Sequence, residues 1–183
     1  NGSNGRIKVN AGTDDTVRVA ATLRRLDDLK YEVTQDGNTI NVEVEEKGGR
    51  FSFLGQSRCD DIEITTPSNT RVGLSTSNRA IELYGMHRSG TVRSSNGKII
   101  MDDVTGDFDV HASHGSVDIA RATGTFDIET SNGRIDFAGV IVPAVDNRMT
   151  TTNGSAEITS HGTHSVKLDG RQPTVPLKHV CQL

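Results

Sequence analysis

The chain has 183 residues, enough for one domain, and a formal net charge of −4. Hydrophobic residues make up 33%, aromatics only 4%, and Trp is absent, which is too thin for a broad core of bulky side chains and fits a narrow one filled by Val, Ile, Leu and Ala. Lysine and arginine are scattered singly, so no basic stripe offers itself to nucleic acid, and no apolar run approaches the roughly 20 residues that span a bilayer.

The chain does not begin with Met and opens on no signal-peptide pattern, so it reads as a mature product or a piece of something longer. Arg6-Ile7-Lys8-Val9 and Thr16-Val17-Arg18-Val19 alternate as strands. Leu23, Leu26 and Leu29 recur every three residues and predict a short helix, marginal without packing. Tyr31 to Val33 and Ile40 to Val44 predict a strand pair around the turn Asp36-Gly37-Asn38. Residues 45–56, with Gly48-Gly49 and Gly55, read as a loop, and regular strands restart with Ile62 and Ile64. Residues 1–60 are therefore expected to be a β-rich cap, part of the same domain, that shields strand edges from other chains.

From 61 to 161 the sequence repeats. Ser77-Asn78-Arg79, Ser95-Asn96-Gly97, Ser113-His114-Gly115 and Ser131-Asn132-Gly133 follow one another at steps of 18 residues, and Thr152-Asn153-Gly154 comes after 21. The three extra residues are placed near Ile141-Val142-Pro143-Ala144. Apolar columns flank the turns: Leu74, Val92, Val110 and Ile128 before them; Ile81, Ile99, Val117 and Ile135, then Leu83, Met101, Ile119 and Phe137 after them. A last column holds Met86, Val104, Ala122 and Val140. Apolar residues at i and i+2 mean strands with one buried face. Asn-Gly between strands also signals hairpins, which would give an antiparallel meander. A meander has no reason to keep one period, whereas coils stacked about 4.8 Å apart do. The fold expected is all-β, a right-handed parallel β-solenoid of about 18-residue coils. Asn78, Asn96, His114, Asn132 and Asn153 would form a turn ladder, with Gly97, Gly115, Gly133 and Gly154 making the turns. Residues 162–183, with Pro173 and Pro176, break the pattern and read as an irregular arm that wraps the last coil or joins subunits.

Ser95-Asn96-Gly97-Lys98-Ile99 and Ser131-Asn132-Gly133-Arg134-Ile135, with the Val-Thr-Gly and Ala-Thr-Gly turns at 104–106 and 122–124, carry a family resemblance. From about Arg6 to Ile158 the chain resembles a bacterial adhesin-type β-solenoid domain family of unknown function, itself similar to the head domains of autotransporter adhesins. The resemblance implies a right-handed solenoid in exported or envelope proteins, without established catalytic residues. Arg79 in place of Gly, His114 in place of Asn and the 21-residue step depart from its pattern.

Candidate sites divide between scaffold and surface. Glu82, Asp118, Asp136 and Glu157 share an outward column interrupted by Ile100, and Asp109 and Asp127 share another. Stacked carboxylates repel one another, and a hard cation such as calcium would relieve this. The simpler reading is a solvated acidic face moderated by Arg121 and Arg134, with no cofactor. His111/His114 and His161/His164 have a metal-like spacing, but on strand ends and without a third ligand they read as surface and turn residues. Asn1-Gly2-Ser3 and Asn153-Gly154-Ser155 match the glycosylation acceptor pattern, and the turn already accounts for Asn153. Cys59 and Cys181 either form one disulfide or are both free. No nucleophile elbow, phosphate loop or metalloprotease motif is present, and the clustered Asp, Lys and Arg of a pectate-lyase-like groove are missing. The reading is a non-enzymatic, exported adhesion-type module at the cell surface, in the periplasm or outside the cell, contacting a surface, glycan or protein. A self-assembling fibre subunit is the alternative, and a carbohydrate-active solenoid enzyme the remote one.

Overall fold

The structure, a computed structural model, describes residues 5–22, 29–46, 61–142, 147–161, 166–170 and 178–182. All the regular elements among them are strands, and fourteen belong to one hydrogen-bonded network. Its first face runs in spatial order β2 (Arg18–Thr22), β5 (Asp61–Pro67), β1 (Arg6–Gly12), β7 (Ala80–Tyr84), β9 (Ile99–Asp102), β11 (Val117–Thr130), β12 (Ile135–Ile141), β14 (Ala156–His161) and β16 (Lys178–Gln182). The second runs β6 (Val72–Thr76), β8 (Gly90–Ser94), β10 (Thr105–Ala112), the C-terminal part of β11, β13 (Asn147–Thr151) and β15 (Val166–Gly170). Long β11 serves both faces: Val117–Ala120 pairs with β9, and Thr123–Thr130 pairs with β10. Apart from β2, every pairing in the network is parallel. The chain is thus a β-solenoid, each coil contributing one strand to each face, and the hairpin reading of the Asn-Gly turns does not apply.

The register follows the sequence period. Ile81 pairs with Ile99, Ile99 with Val117, Val117 with Ile135 and Ile135 with Ala156. These residues and the column of Leu83, Met101, Ile119 and Phe137 are buried between the faces. Opposite them lie Val92, Val110 and Ile128, and beside these Phe108 stacks on Phe126 at 5.9 Å while Phe137 meets Phe126 edge-on at 5.0 Å. The low aromatic content is spent here, where small residues alone would leave the interior unfilled.

The 21-residue step has two components. Pairing of β11 with β12 skips from Ile119↔Phe137 to Ala122↔Gly139, so β12 is one residue short where Arg121 bulges out with φ 49°. Four residues are then added between Ile141, which pairs with Gly124, and Arg148, which pairs with Asp127. The skip corrects one expectation. Val140 leaves the core column, is 42% exposed, and buried Ile141 follows it. Buried Asn147 stitches the ends of the insertion: its Oδ1 accepts from the Phe126 N–H at 2.8 Å and its Nδ2 donates to the Val142 carbonyl at 3.1 Å.

The termini differ from expectation. Instead of lying over the end as a cap, β1 is inserted in register between β5 and β7, with Ile7 level with both Ile62 and Ile81. Its residues alternate like those of the coils, so it completes a coil's first-face position; only β2 then closes this edge antiparallel. β3 (Leu29–Asp36) and β4 (Thr39–Glu46) form the expected hairpin, separate from the network. Leu29 opens β3, so the helix does not reach it, and the rest of that expected helix and residues 47–60 lie outside the described residues. The C-terminal arm is not irregular throughout. β15 pairs with β13 and β16 with β14, adding a further coil that lacks the Ser-Asn-Gly turn marking the others. Pro173 and Pro176 fall between these strands, outside the described residues. Among the described residues no helix is long and apolar enough to cross a membrane.

Candidate functional site

The turns are built on hydroxyls that stand outside the columns expected from the sequence. The residue before each Ser-Asn-Gly is Thr76, Ser94, Ala112 or Thr130, and Thr151 precedes Thr152. Ser94 Oγ accepts from the Gly97 N–H at 2.9 Å, and Thr130 Oγ1 accepts from the Gly133 N–H at 3.1 Å. Thr130 and Thr151 also donate downward, to the Gly115 and Gly133 carbonyls at 3.3 and 3.1 Å. Turns of this kind are closed by their own hydroxyl and bonded to the turn below. The glycines are required by that closeness: a Cβ on Gly115 would stand 2.0 Å from the Gly97 carbonyl oxygen, and one on Gly154 would stand 1.9 Å from that of Gly133. Left-handed backbone is not the reason.

The asparagine column forms two pairs. Asn96 Nδ2 donates to Asn78 Oδ1 at 2.8 Å, and Asn153 Nδ2 to Asn132 Oδ1 at 2.9 Å. His114 stands between the pairs, joined to the column through its backbone N–H on the Ser95 carbonyl at 2.8 Å. In this coil the closing hydroxyl is missing too, because Ala112 takes its place. One coil thus gives up both devices that order the others.

A shallow groove of about 420 Å³ opens at that coil, on the outer side of the second face. Its floor is the outward column Ser75, Arg93, His111 and Glu129, one residue from each of four stacked strands. Its wall is made by the exposed turn serines Ser95, Ser113 and Ser131. Among the described residues, none of these three hydroxyls has a hydrogen-bond partner. The floor carries a chain of close polar contacts. Arg93 Nη2 donates to Asp109 Oδ2 at 3.1 Å; His111 Nε2 lies 2.6 Å from Asp109 Oδ1; and His111 Nδ1 lies 3.4 Å from Glu129 Oε2. Nitrogen-bearing and carboxylate side chains alternate along it, on backbones fixed in a parallel ladder.

The acidic columns are placed as follows. Asp118, Asp136 and Glu157 stack outward on the first face. Lys98 pairs with Asp118, and Arg134 reaches Asp136 at 2.7 Å and Glu157 at 3.0 Å. The hydrogen bond and charge of Asp136, and then Glu157, raise the Arg134 pKa, so its cation is held firmly. The positive charge that a bound metal would supply comes from Lys98 and Arg134, the residues after Gly97 and Gly133. Arg121, expected to moderate this face, pairs with Asp102 at 2.5 Å instead. Asp109 belongs to the groove chain, and Asp127 is its exposed neighbour, paired in register. Among the described residues, no three His, Cys, Asp or Glu side chains are grouped as metal ligands would be. His161 ends β14, and His164, Asn1-Gly2-Ser3 and Cys59 lie outside the described residues. Cys181 lies in β16, while β5 opens two residues after Cys59 and stands seven strands away.

One more copy of the turn motif stands outside the regular period. Ser3-Asn4-Gly5-Arg6-Ile7 is identical to Ser131-Asn132-Gly133-Arg134-Ile135. Ile7 is in register with Ile81, and the Ala80 N–H donates to the Gly5 carbonyl at 3.3 Å. This motif is the signal in the sequence that identifies β1 as a coil strand, and the expectation of an N-terminal cap passed over it.

No curated protein and no solved structure matches the chain. A family model, Toastrack DUF4097, matches residues 1–170. That span takes in β1 through β15, the groove and every Ser-Asn-Gly turn, and the chain belongs to the Toastrack DUF4097 family, a domain of unknown function.

Proposed function

We propose that the protein is a non-enzymatic, exported module of adhesion type that holds an extended partner against the outer side of its second face. The observation that carries this reading is the groove at the His111–His114 coil, where the turn ladders are interrupted and a row of hydroxyls is left for a partner. Solenoid regularity serves the scaffold, and departures from local rules concentrate where a protein works. Both nitrogens of His111 face carboxylates, at 2.6 and 3.4 Å, so the imidazole stands against these and not against a serine nucleophile. No cofactor is needed for such binding. The test is a panel of surface polysaccharides and proteins, scored for both retention and turnover. Retention without product formation is expected; sustained release of reducing ends or peptides would overturn the reading.

A second reading, end-to-end self-assembly, has its own support. Among the described residues β15 pairs only with β13 and β16 only with β14, so both faces end in strands with one open edge. Such edges recruit further strands. Fibres visible by negative-stain microscopy at high concentration would favour it, and a monodisperse monomer would remove it.

A further inference from the structure

We propose that the groove binds a neutral, extended polysaccharide with about one sugar unit per coil. This rests on the adhesion reading above and adds the ligand's chemical class.

Periodicity comes first. Ser95, Ser113 and Ser131 occupy the same place in successive coils, and their column repeats at the strand spacing of about 4.8 Å. That is close to the length of one β-linked pyranose, so consecutive sugars present the same hydroxyl to the same column. A serine hydroxyl donates one hydrogen bond and accepts others, which suits a ligand whose own groups are hydroxyls. Three such serines, exposed in one row and without a side-chain partner among the described residues, form a receptor surface of matching chemistry.

The floor supplies direction. Arg93 donates to Asp109 at 3.1 Å, and the His111 ring nitrogens stand 2.6 and 3.4 Å from Asp109 and Glu129, so nitrogen and carboxylate groups lie side by side along the floor. Vicinal diols are satisfied by this kind of adjacent donor and acceptor. The side chains stand on paired strands, so little ordering is left to be done on binding. Charge then selects among polysaccharides. The groove lining sets Glu129 against Arg93, the neighbouring Asp109 and Asp127 stand beside Arg93 and Arg148, and the whole chain carries −4, so a polyanion finds no net attraction here. The groove lining contains no Phe, Tyr or Trp to stack on a sugar face. Affinity must therefore accumulate from weak, repeated polar contacts, and it must depend on ligand length.

The experiment titrates the whole chain with β-linked gluco- and manno-oligosaccharides of two to eight units, by NMR and calorimetry. Affinity is expected to rise about tenfold from two units to four and then level off, because the floor spans four strands. Arg93→Gln and Ser113→Val should each weaken binding about fivefold or more, whereas Glu63→Gln on the first face should leave it unchanged. Unfolding curves of the variants confirm that the fold is kept. Length-independent affinity, tighter binding of polygalacturonate at equal salt, or indifference to both groove variants would overturn the proposal. If the protein still attaches to polysaccharide-coated surfaces in that case, the adhesion reading stands without this site. If it attaches to nothing, or cleaves what it meets, that reading falls as well.

Discussion

At the scale of single residues, two glycines in similar company have opposite meanings. Gly115 sits where a Cβ would be 2.0 Å from the carbonyl oxygen of the turn below, and Gly73 in edge strand β6 has nothing within 4 Å. Neither needs a left-handed backbone. Gly115→Ala must push two coils apart and is expected to cost about 2–4 kcal/mol, in the range of overpacking and broken backbone contacts. Gly73→Ala is expected to be neutral or to stabilise by about 0.4–1 kcal/mol, since it only narrows the unfolded ensemble. Urea unfolding of the two variants checks the contrast, and equal losses would mean that stacking distance is not what holds the turn glycines.

At the scale of the element, the coil from His111 to Ile119 carries a testable deficit. Ala112→Thr would offer the Gly115 N–H the hydroxyl that Thr130 gives Gly133, worth about 1 kcal/mol net. His114→Asn would let the amide column run through from Asn96 to Asn132, with a gain of similar or smaller size. Both variants should raise the melting temperature, most clearly in combination; no change would show that the coil is already satisfied in another way. Legibility followed the same division. The period of 18, the columns and the stack could be read because each coil repeats one physical problem: two strands, one closed turn, one buried row. The closing hydroxyls could have been read too, since Thr76, Ser94 and Thr130 stand in one column, but Ala112 broke it. The groove could not. It depends on which outward residues become neighbours across coils, and Arg93, Asp109, His111 and Glu129 carry no common motif. The C-terminal coil was hidden for the converse reason: β15 and β16 keep the geometry after the sequence has dropped the turn that signals it.

At the scale of the molecule, the order of strands along the first face predicts the state of the thiols. With about 34 Å between β5 and β16, Cys59 and Cys181 of one chain are expected to remain unpaired with each other under oxidising conditions. Thiol titration of the denatured monomer should count two free sulfhydryls, and a mass lower by two hydrogens would contradict the strand order. The placement of β1 bears on time as well as space. Most coil contacts join residues 18 positions apart, but β1 finds its partners 55 and 74 positions away, in β5 and β7. Closing those long loops is slower than stacking neighbouring coils. During synthesis β1 has no partner until β5 is complete at residue 67 and no second one until β7 is complete at residue 84, so its slot between two strands made long after it is expected to fill late. Pulse-labelled hydrogen exchange during refolding should show protection of Val110, Ile119 and Ile128 before Ile7 and Val9. A β1 protected first would mean that the solenoid is built outward from its β5 end. On the order expected here, that end is the last part of the protein to become itself, and any chaperone or partner that meets the chain early meets it with this slot still open.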